Sequence, residues 1–554
     1  MKTMSELDVP IPASISLMRR FVKIATLEQR ETALRKGSYN HFAFPADLLI
    51  LDFLSDSGTS CMTDLQWASL FLGDESYGRN KGYYILLDAV RDTFERGNHP
   101  LKRINLIRSG ETNVDQLMDE LYLAPHQGGF VNGGEYQLIR PNAFLVPQGR
   151  CAEYLLYSTL AQVLRLSGEN GQSPPRPSPK RKTRLGEEKY WIPSNGHFDT
   201  TEAHITASGI ETVNLYQKGA TDELTLEQIE TYNPFKGNMD CERLEALILE
   251  KGRERIPLIS ITITNNTVAG QPVSLENIKM VRSIADRHEI PLFFDACRFA
   301  ENAYFIKRYE PGYQHLSIQS IVQEMFACVD GFTISFKKDG MANIGGGLFF
   351  RDQGAFHKRF SIREDIGILL KEKQILTFGN DSYGGLSGHD ILSISSGLFE
   401  VVNETYLQNR IGQTHYFARR LTENGIPVVL PAGGHAVYVD MNRFFGRTPN
   451  RMEDFRGIGM VVELIRRYGI RASEVGPFAC EWDLKTEEQR KGILNLLRFA
   501  IPRNLYGKEH MDYAVAAISE LHENEEVIPR MKITRGANLR LRHFQAGLEP
   551  VYDL

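Results

Sequence analysis

Cysteine is scarce in this sequence: six in 554 residues, at positions 61, 151, 241, 297, 328 and 480. They are scattered, with no paired spacing. That argues against a disulfide framework or a cysteine metal site and fits a reduced, cytoplasmic protein. Cys297, two residues from Asp295, is expected to be a small buried residue rather than a nucleophile. Long apolar runs are also missing. No stretch reaches membrane-spanning length, and the start shows no charged segment followed by an apolar one, so no membrane partner is expected. Charge of one sign does not dominate either. The formal net charge is −5, which carries no nucleic-acid signal.

What is present suits a large folded enzyme. Hydrophobic residues make up 42%, ample for a core, and 554 residues exceed the usual size of one domain. The expected division is an N-terminal arm with part of a small domain (1–60), a large domain (61–395) and a small C-terminal domain (396–554). From about residue 256 to Ile344, strand-like runs alternate with helical periodicity, which predicts a mostly parallel α/β sheet. Residues 256–263, 292–294 and about 331–336 read as strands, and 274–288 as a helix. Residues 50–54 read as another strand. The 168–188 stretch, rich in proline and basic residues, reads as a surface loop.

Candidate chemistry sits at the ends of these strands. Asp330-Gly331-Phe332-Thr333-Ile334-Ser335-Phe336-Lys337-Lys338 is an apolar segment ending in a hydroxyl and two lysines, followed by a glycine-rich run. An amine there, with Lys337 as a neighbouring cation to lower its pKa, suits Lys338 for Schiff-base chemistry with an aldehyde. A solvated lysine pair is the plainer alternative. Asp295 follows the run Leu292-Phe293-Phe294, at the edge where ligands bind in open α/β sheets. A carboxylate there can pair with a protonated pyridine nitrogen, and Arg298 can reach a phenolate oxygen on the same ring. A helix cap is the alternative for Asp295. Phe198 can stack on a flat ring or simply fill a core.

In the order Asn266, Asp295, Arg298, Ser335, Lys338, the chain resembles the β-eliminating lyase family of tryptophanases and tyrosine phenol-lyases. Ala269-Gly270-Gln271-Pro272-Val273-Ser274, Glu301-Asn302-Ala303-Tyr304-Phe305-Ile306-Lys307 and Asn343-Ile344-Gly345-Gly346 carry the likeness further. It runs, with gaps, from about Tyr39 to the C-terminus. The resemblance implies fold type I of the pyridoxal-phosphate enzymes, an α/β fold with a mostly parallel large domain and a smaller α+β domain. It implies a homotetramer built as a dimer of dimers. It also implies that Lys338 carries pyridoxal 5'-phosphate. Pro147-Gln148-Gly149-Arg150 matches the phosphate motif, so Gln148, Gly149 and Arg150 join Ser335 and Lys337 there. Phe198 then matches the ring-stacking residue, and Asn266 and Arg298 match the residues at the ring oxygen. Arg498, on an apolar strand, matches the residue that clamps the substrate carboxylate. Ser55 and His435 are implied at the substrate. Tyr77 matches a proton donor near the leaving group. Gly58, Glu75 and Asn343 match a monovalent cation (potassium) site between subunits.

Three positions bear on the leaving group. Asp199 follows Phe198, as in tryptophanases. Val475 stands where tyrosine phenol-lyases carry an arginine, and His543 where they carry phenylalanine. The expectation is β-elimination of tryptophan to indole, pyruvate and ammonia, with Tyr77, His543 and Asp199 handling the proton. The alternatives are cleavage of tyrosine or another β-substituted amino acid, or an aminotransferase-like reaction. Insertions near 97–143 and 168–188 depart from the family.

Overall fold

The computed structural model describes residues 14–15, 21–95, 128–132, 136–168, 189–220, 222, 224–229, 231–380 and 384–552. Most of the two insertions lies outside these residues. Among them, seven short strands form one sheet: β1 (Ala143–Val146), β2 (Trp191–Ser194), β3 (Glu211–Asn214), β4 (Ile259–Thr262), β5 (Leu292–Asp295), β6 (Gly331–Ser335) and β7 (Gly346–Phe350), in the order β1-β7-β6-β5-β4-β2-β3. All pairings are parallel except those of β7 with β1 and β6. Only β7 therefore runs against the others. The central strands are buried at every residue, as expected when helices cover both faces.

The helices that position the site are α1 (Asp64–Leu72), α2 (Gly149–Gly168), α3 (Asp199–Ala207), α4 (Leu275–Arg287), α5 (Phe299–Tyr309), α6 (Gly388–Glu400) and α7 (Glu404–Glu423). The expected helix over 274–288 is α4, with Ser274 outside it as the N-cap accepting from the Asn277 amide. Its buried stripe is Leu275, Ile278, Val281, Ile284 and Ala285. The expected strand at 50–54 shortens to Leu51–Asp52, because the Asp52 side chain accepts from the Leu54 amide at 3.1 Å and bends the chain into a turn.

Two large cores result. One fills the sheet's flank with Phe94, Phe299, Phe326 and Phe332, whose rings meet edge-on or tilted. The other gathers Leu51 and Phe53 with Phe417, Phe499 and Ile518 around an antiparallel sheet. That sheet comprises β8 (Ala436–Asp440), β9 (Ser473–Glu474) and β10 (Leu496–Ala500), ordered β9-β10-β8. Helix α7 starts in the first core, at Leu407 and Ile411, and ends in the second, at Phe417 and Leu421.

Between the cores lies a fully buried ion cluster. Arg503 donates to Asp56 (3.0 Å), Glu301 (2.8 Å) and Asp339 (2.7 Å). Arg410 on α7 also pairs with Glu301 (3.1 Å), and Arg298 grips Asp56 through two nitrogens (2.8 and 3.0 Å). Asp339 in turn accepts from the amides of Ala300 and Glu301, closing the N-terminus of α5. Three guanidiniums thus face three carboxylates, the arrangement that buried charge requires.

Candidate active site

Every parallel strand of the centre ends on the same edge, and the loops leaving that edge carry the site. After β1, Gln148 bridges to Gly345 and α2 begins at Gly149. A β-carbon on Gly149 would lie 2.9 Å from that of Ser335, so the start of α2 and the end of β6 touch. Its free amides make an anion cradle there. Lys337 and Arg150 stand beside it, while the Lys338 charge acts on the carboxyl of Glu153. Burial, with Arg150 and Lys338 nearby, pushes the Lys337 ammonium downward. Cations at a helix start make a place suited to an anion.

Lys338 points elsewhere. Its Nζ lies 5.5 Å from the centre of the Phe198 ring, at the end of the loop after β2. Lys337 instead runs along Gly58, whose amide donates to the Lys337 carbonyl at 2.7 Å. The two lysines are therefore distinguished by direction. Asp295, at the end of β5, is buried, with only the Cys297 thiol donating to its carboxylate (2.9 Å) among the described residues. It caps no helix; Asp339 does that work for α5. A buried carboxylate without a cation is a costly arrangement unless a cationic ligand completes it. Arg298 turns its Nη1 to Asn266 (3.3 Å) and its other donors to Asp56. Burial would raise the Asp56 carboxyl, but Arg298 and Arg503 hold it well below the usual range.

The other end of the cleft is built from the smaller sheet. Arg498 on β10 donates to the Leu54 carbonyl at 3.1 Å, next to Ser55, and has no ion pair among the described residues. Its Nε is buried without a partner. His435 is fully buried; Tyr438 on β8 meets its Nε2 at 3.2 Å. Burial, with Arg298 close, holds its imidazole neutral, well below the usual histidine range. Val475 packs with Tyr438, Leu496 and Ala269 in a small apolar cluster. Asp199 and His543 come together, Oδ2 to Nε2, at 3.7 Å, and burial lowers the His543 imidazole.

Gly58 and Asn343 also meet: a β-carbon on Gly58 would lie 2.9 Å from the Asn343 carbonyl. Glu75 and Tyr77 are not brought to this edge by the chain's own contacts. Glu75 is exposed and pairs with His389 (3.1 Å), and Tyr77 is 71% exposed. Three residues escaped sequence reasoning: Asp56, Arg503 as the centre of the ion cluster, and Glu153. Glu153 lies on α2, one turn past the cradle. Its Oε1 accepts from Thr201 (2.7 Å), while Oε2 is buried without a partner. Burial, followed by the charge of Asp295, raises its carboxyl to about 7. Its position four residues after Gly149, facing inward with Leu155 and Leu156, was the available signal.

A Beta-eliminating lyase family profile matches residues 52–517. The chain is 36% identical over 531 residues to a tryptophanase of Salinibacter ruber, covering 96% of this chain and 93% of that one. It is 32% identical over 532 residues to a tyrosine phenol-lyase of Symbiobacterium sp., covering 96% of each. Among solved structures, Bna3p, a putative kynurenine aminotransferase from Saccharomyces cerevisiae, superposes with a TM-score of 0.53 at 14% identity, covering 92% of this chain and 100% of that one. The α/β architecture is that of fold type I.

Glu153 sets a pH dependence. In the unfolded chain its carboxyl ionises near the ordinary 4.5; in the fold it holds its proton to about 7. The unfolded state therefore loses the proton first, and stability drains as pH rises between those values. Relative to Glu153→Gln, the wild-type thermal midpoint should fall from about pH 4.5 to about pH 7 and run parallel above that. Midpoints that differ by a constant across this range would refute the buried acid.

Proposed function

The chain belongs to the β-eliminating lyase family, and on that premise we propose that it cleaves the side chain from tryptophan, yielding indole, pyruvate and ammonia. The observation that carries the reading is Lys338 reaching over Phe198 beside a buried Asp295 that lacks a cation.

The donor set fits pyridoxal 5'-phosphate. Gln148, Gly149, Arg150, Ser335 and Lys337 would hold its phosphate, Phe198 its ring face, Asn266 and Arg298 its ring oxygen, and Asp295 its ring nitrogen. Bound there, the group supplies an aldehyde for the substrate amine and a ring that accepts electrons. Lys338 would hold the group covalently, and its Nζ, when free, would take the Cα proton. Arg498 clamps the substrate carboxylate beside Ser55, turning the Cα–H toward Lys338. His435 acts through Tyr438 as a positioning residue for Arg498, since it is buried and neutral. At the far end, Val475 presents an apolar wall to a neutral ring. Asp199, paired with His543, accepts from an indole N–H and would repel a phenolate.

The exposure of Tyr77 and Glu75 supports a site completed by a second copy. Helix α1 also exposes Trp67, Phe71 and Leu72. In this reading Tyr77 of one copy donates the proton to the departing ring carbon in the other. Glu75 likewise joins Gly58 and Asn343 around potassium, and two such dimers form a tetramer. The six free cysteines agree with a reducing cytoplasm.

Two experiments test this. Tryptophan should give pyruvate and indole with a higher kcat/KM than tyrosine gives pyruvate and phenol, assayed with potassium and added cofactor. Val475→Arg should shrink that preference, because a desolvated arginine disfavours an apolar ring. Faster tyrosine cleavage would overturn the substrate, and pyruvate only from another β-substituted amino acid would overturn both. Separately, Tyr77→Phe and Lys338→Ala copies, each impaired, should regain activity when dissociated and reassembled together. No recovery in assembled mixtures would place Tyr77 outside its neighbour's site.

A further inference from the structure

Cys297 sits between the two groups on which the proposed chemistry depends. Its Sγ donates to Asp295 Oδ1 at 2.9 Å, and its carbonyl accepts from the amide of Asp339, the residue after Lys338, at 3.3 Å. Both Cys297 (8% exposed) and Asp295 (7%) are out of solvent. Burial and the neighbouring Asp295 charge push the thiol up to about 12, so it stays protonated and can only donate. Cys297 itself makes a poor nucleophile for the same reason.

A second observation concerns what faces the same carboxylate. Asp295 has no ion pair among the described residues. Glu153, 6% exposed, has an unpartnered Oε2 and feels the Asp295 charge, and Tyr157 is buried next to both. The surroundings of Asp295 therefore offer one direct donor, the thiol, with Glu153 and Tyr157 as buried polar neighbours and the Lys338 charge acting on Cys297 and Glu153.

We infer that Cys297 is a positioning residue for the cofactor. Its thiol occupies Oδ1 of Asp295 and leaves the other oxygen to meet the ring nitrogen, while its carbonyl ties the same loop to the Lys338 turn. This rests on the reading of Asp295 given above. A hydrogen bond to one carboxylate oxygen fixes the group's rotation and so the direction in which its other oxygen is presented.

The test measures affinity of the cofactor-free protein for pyridoxal phosphate, by titrating its visible absorbance, and the thermal midpoint of each loaded variant. Cys297→Ala should weaken cofactor affinity by about 3- to 10-fold, the range of an ordinary hydrogen bond, since a thiol is a weak donor. Cys297→Ser, which keeps a donor, should return it to within about twofold. Cys297→Val, which fills the volume without donating, should stay weak, and it serves if the alanine variant does not fold. Asp295→Asn separates the two layers of the account. If it binds cofactor as well as wild type, the reading of Asp295 fails and the role of Cys297 with it. If Asp295→Asn loses the cofactor while Cys297→Ala and Cys297→Val retain full affinity, only the role of Cys297 fails. A serine variant as weak as alanine would likewise overturn it, since packing rather than donation would then be what the thiol supplies.

Discussion

Arg503 holds the site together from outside it. Its guanidinium is wholly buried and joined to Asp56, Glu301 and Asp339. Each partner leads to a different part of the cleft. Asp56 grips Arg298 and precedes the turn at Gly58. Asp339 follows Lys338 and closes the N-terminus of α5. Arg503 lies shortly after β10, the strand that carries Arg498. One charge thus fixes the Lys338 loop, Arg298 and the strand of Arg498 relative to each other. Buried ions of this kind add little net stability, because desolvation offsets attraction, but losing one partner strands the others at a cost of about 3–5 kcal/mol. What the cluster contributes is geometry.

The topology explains why residues from Gln148 to Lys338 converge. Each parallel strand needs a crossover, so successive strand ends return to one edge and deliver Gln148, Phe198, Asn266, Asp295 and Ser335 there. That much was legible in the sequence, because a short apolar run ending in a polar residue is a local signal. Asp295 and Lys338 could be picked out by such strand-end placement, and α4 by its apolar stripe and serine cap. Asp56 was not legible as the partner of Arg298 and Arg503, since ion pairs across more than two hundred residues leave no periodic trace. Glu153 had a local signal, its place on an apolar helix four residues after Gly149, but its partner Thr201 on α3 is distant in sequence and left no trace. The bend at Asp52 was missed because one side-chain acceptor ended a strand whose pattern would have allowed two more residues.

Electrostatics divides the cleft by function. Lys337 and Arg150 gather at the start of α2. The buried carboxylates of Asp295 and Glu153 lie close to each other. Arg498 stands by the Leu54 carbonyl, and Val475 packs in an apolar cluster. The proposed preference for a neutral aromatic leaving group rests on that apolar valine and on the Asp199–His543 pair. Tyr77 and Glu75 stand apart from this division: Tyr77 is exposed and Glu75 pairs with His389.

Everything proposed for the site turns on Lys338, not its neighbour Lys337, as the lysine that would carry the cofactor at the edge of the sheet. The loaded protein can be reduced with borohydride, digested and mapped by mass spectrometry. The pyridoxyl group should be found on Lys338, persist in Lys337→Ala and vanish in Lys338→Ala. A label on Lys337, or reducible label surviving in Lys338→Ala, would contradict it.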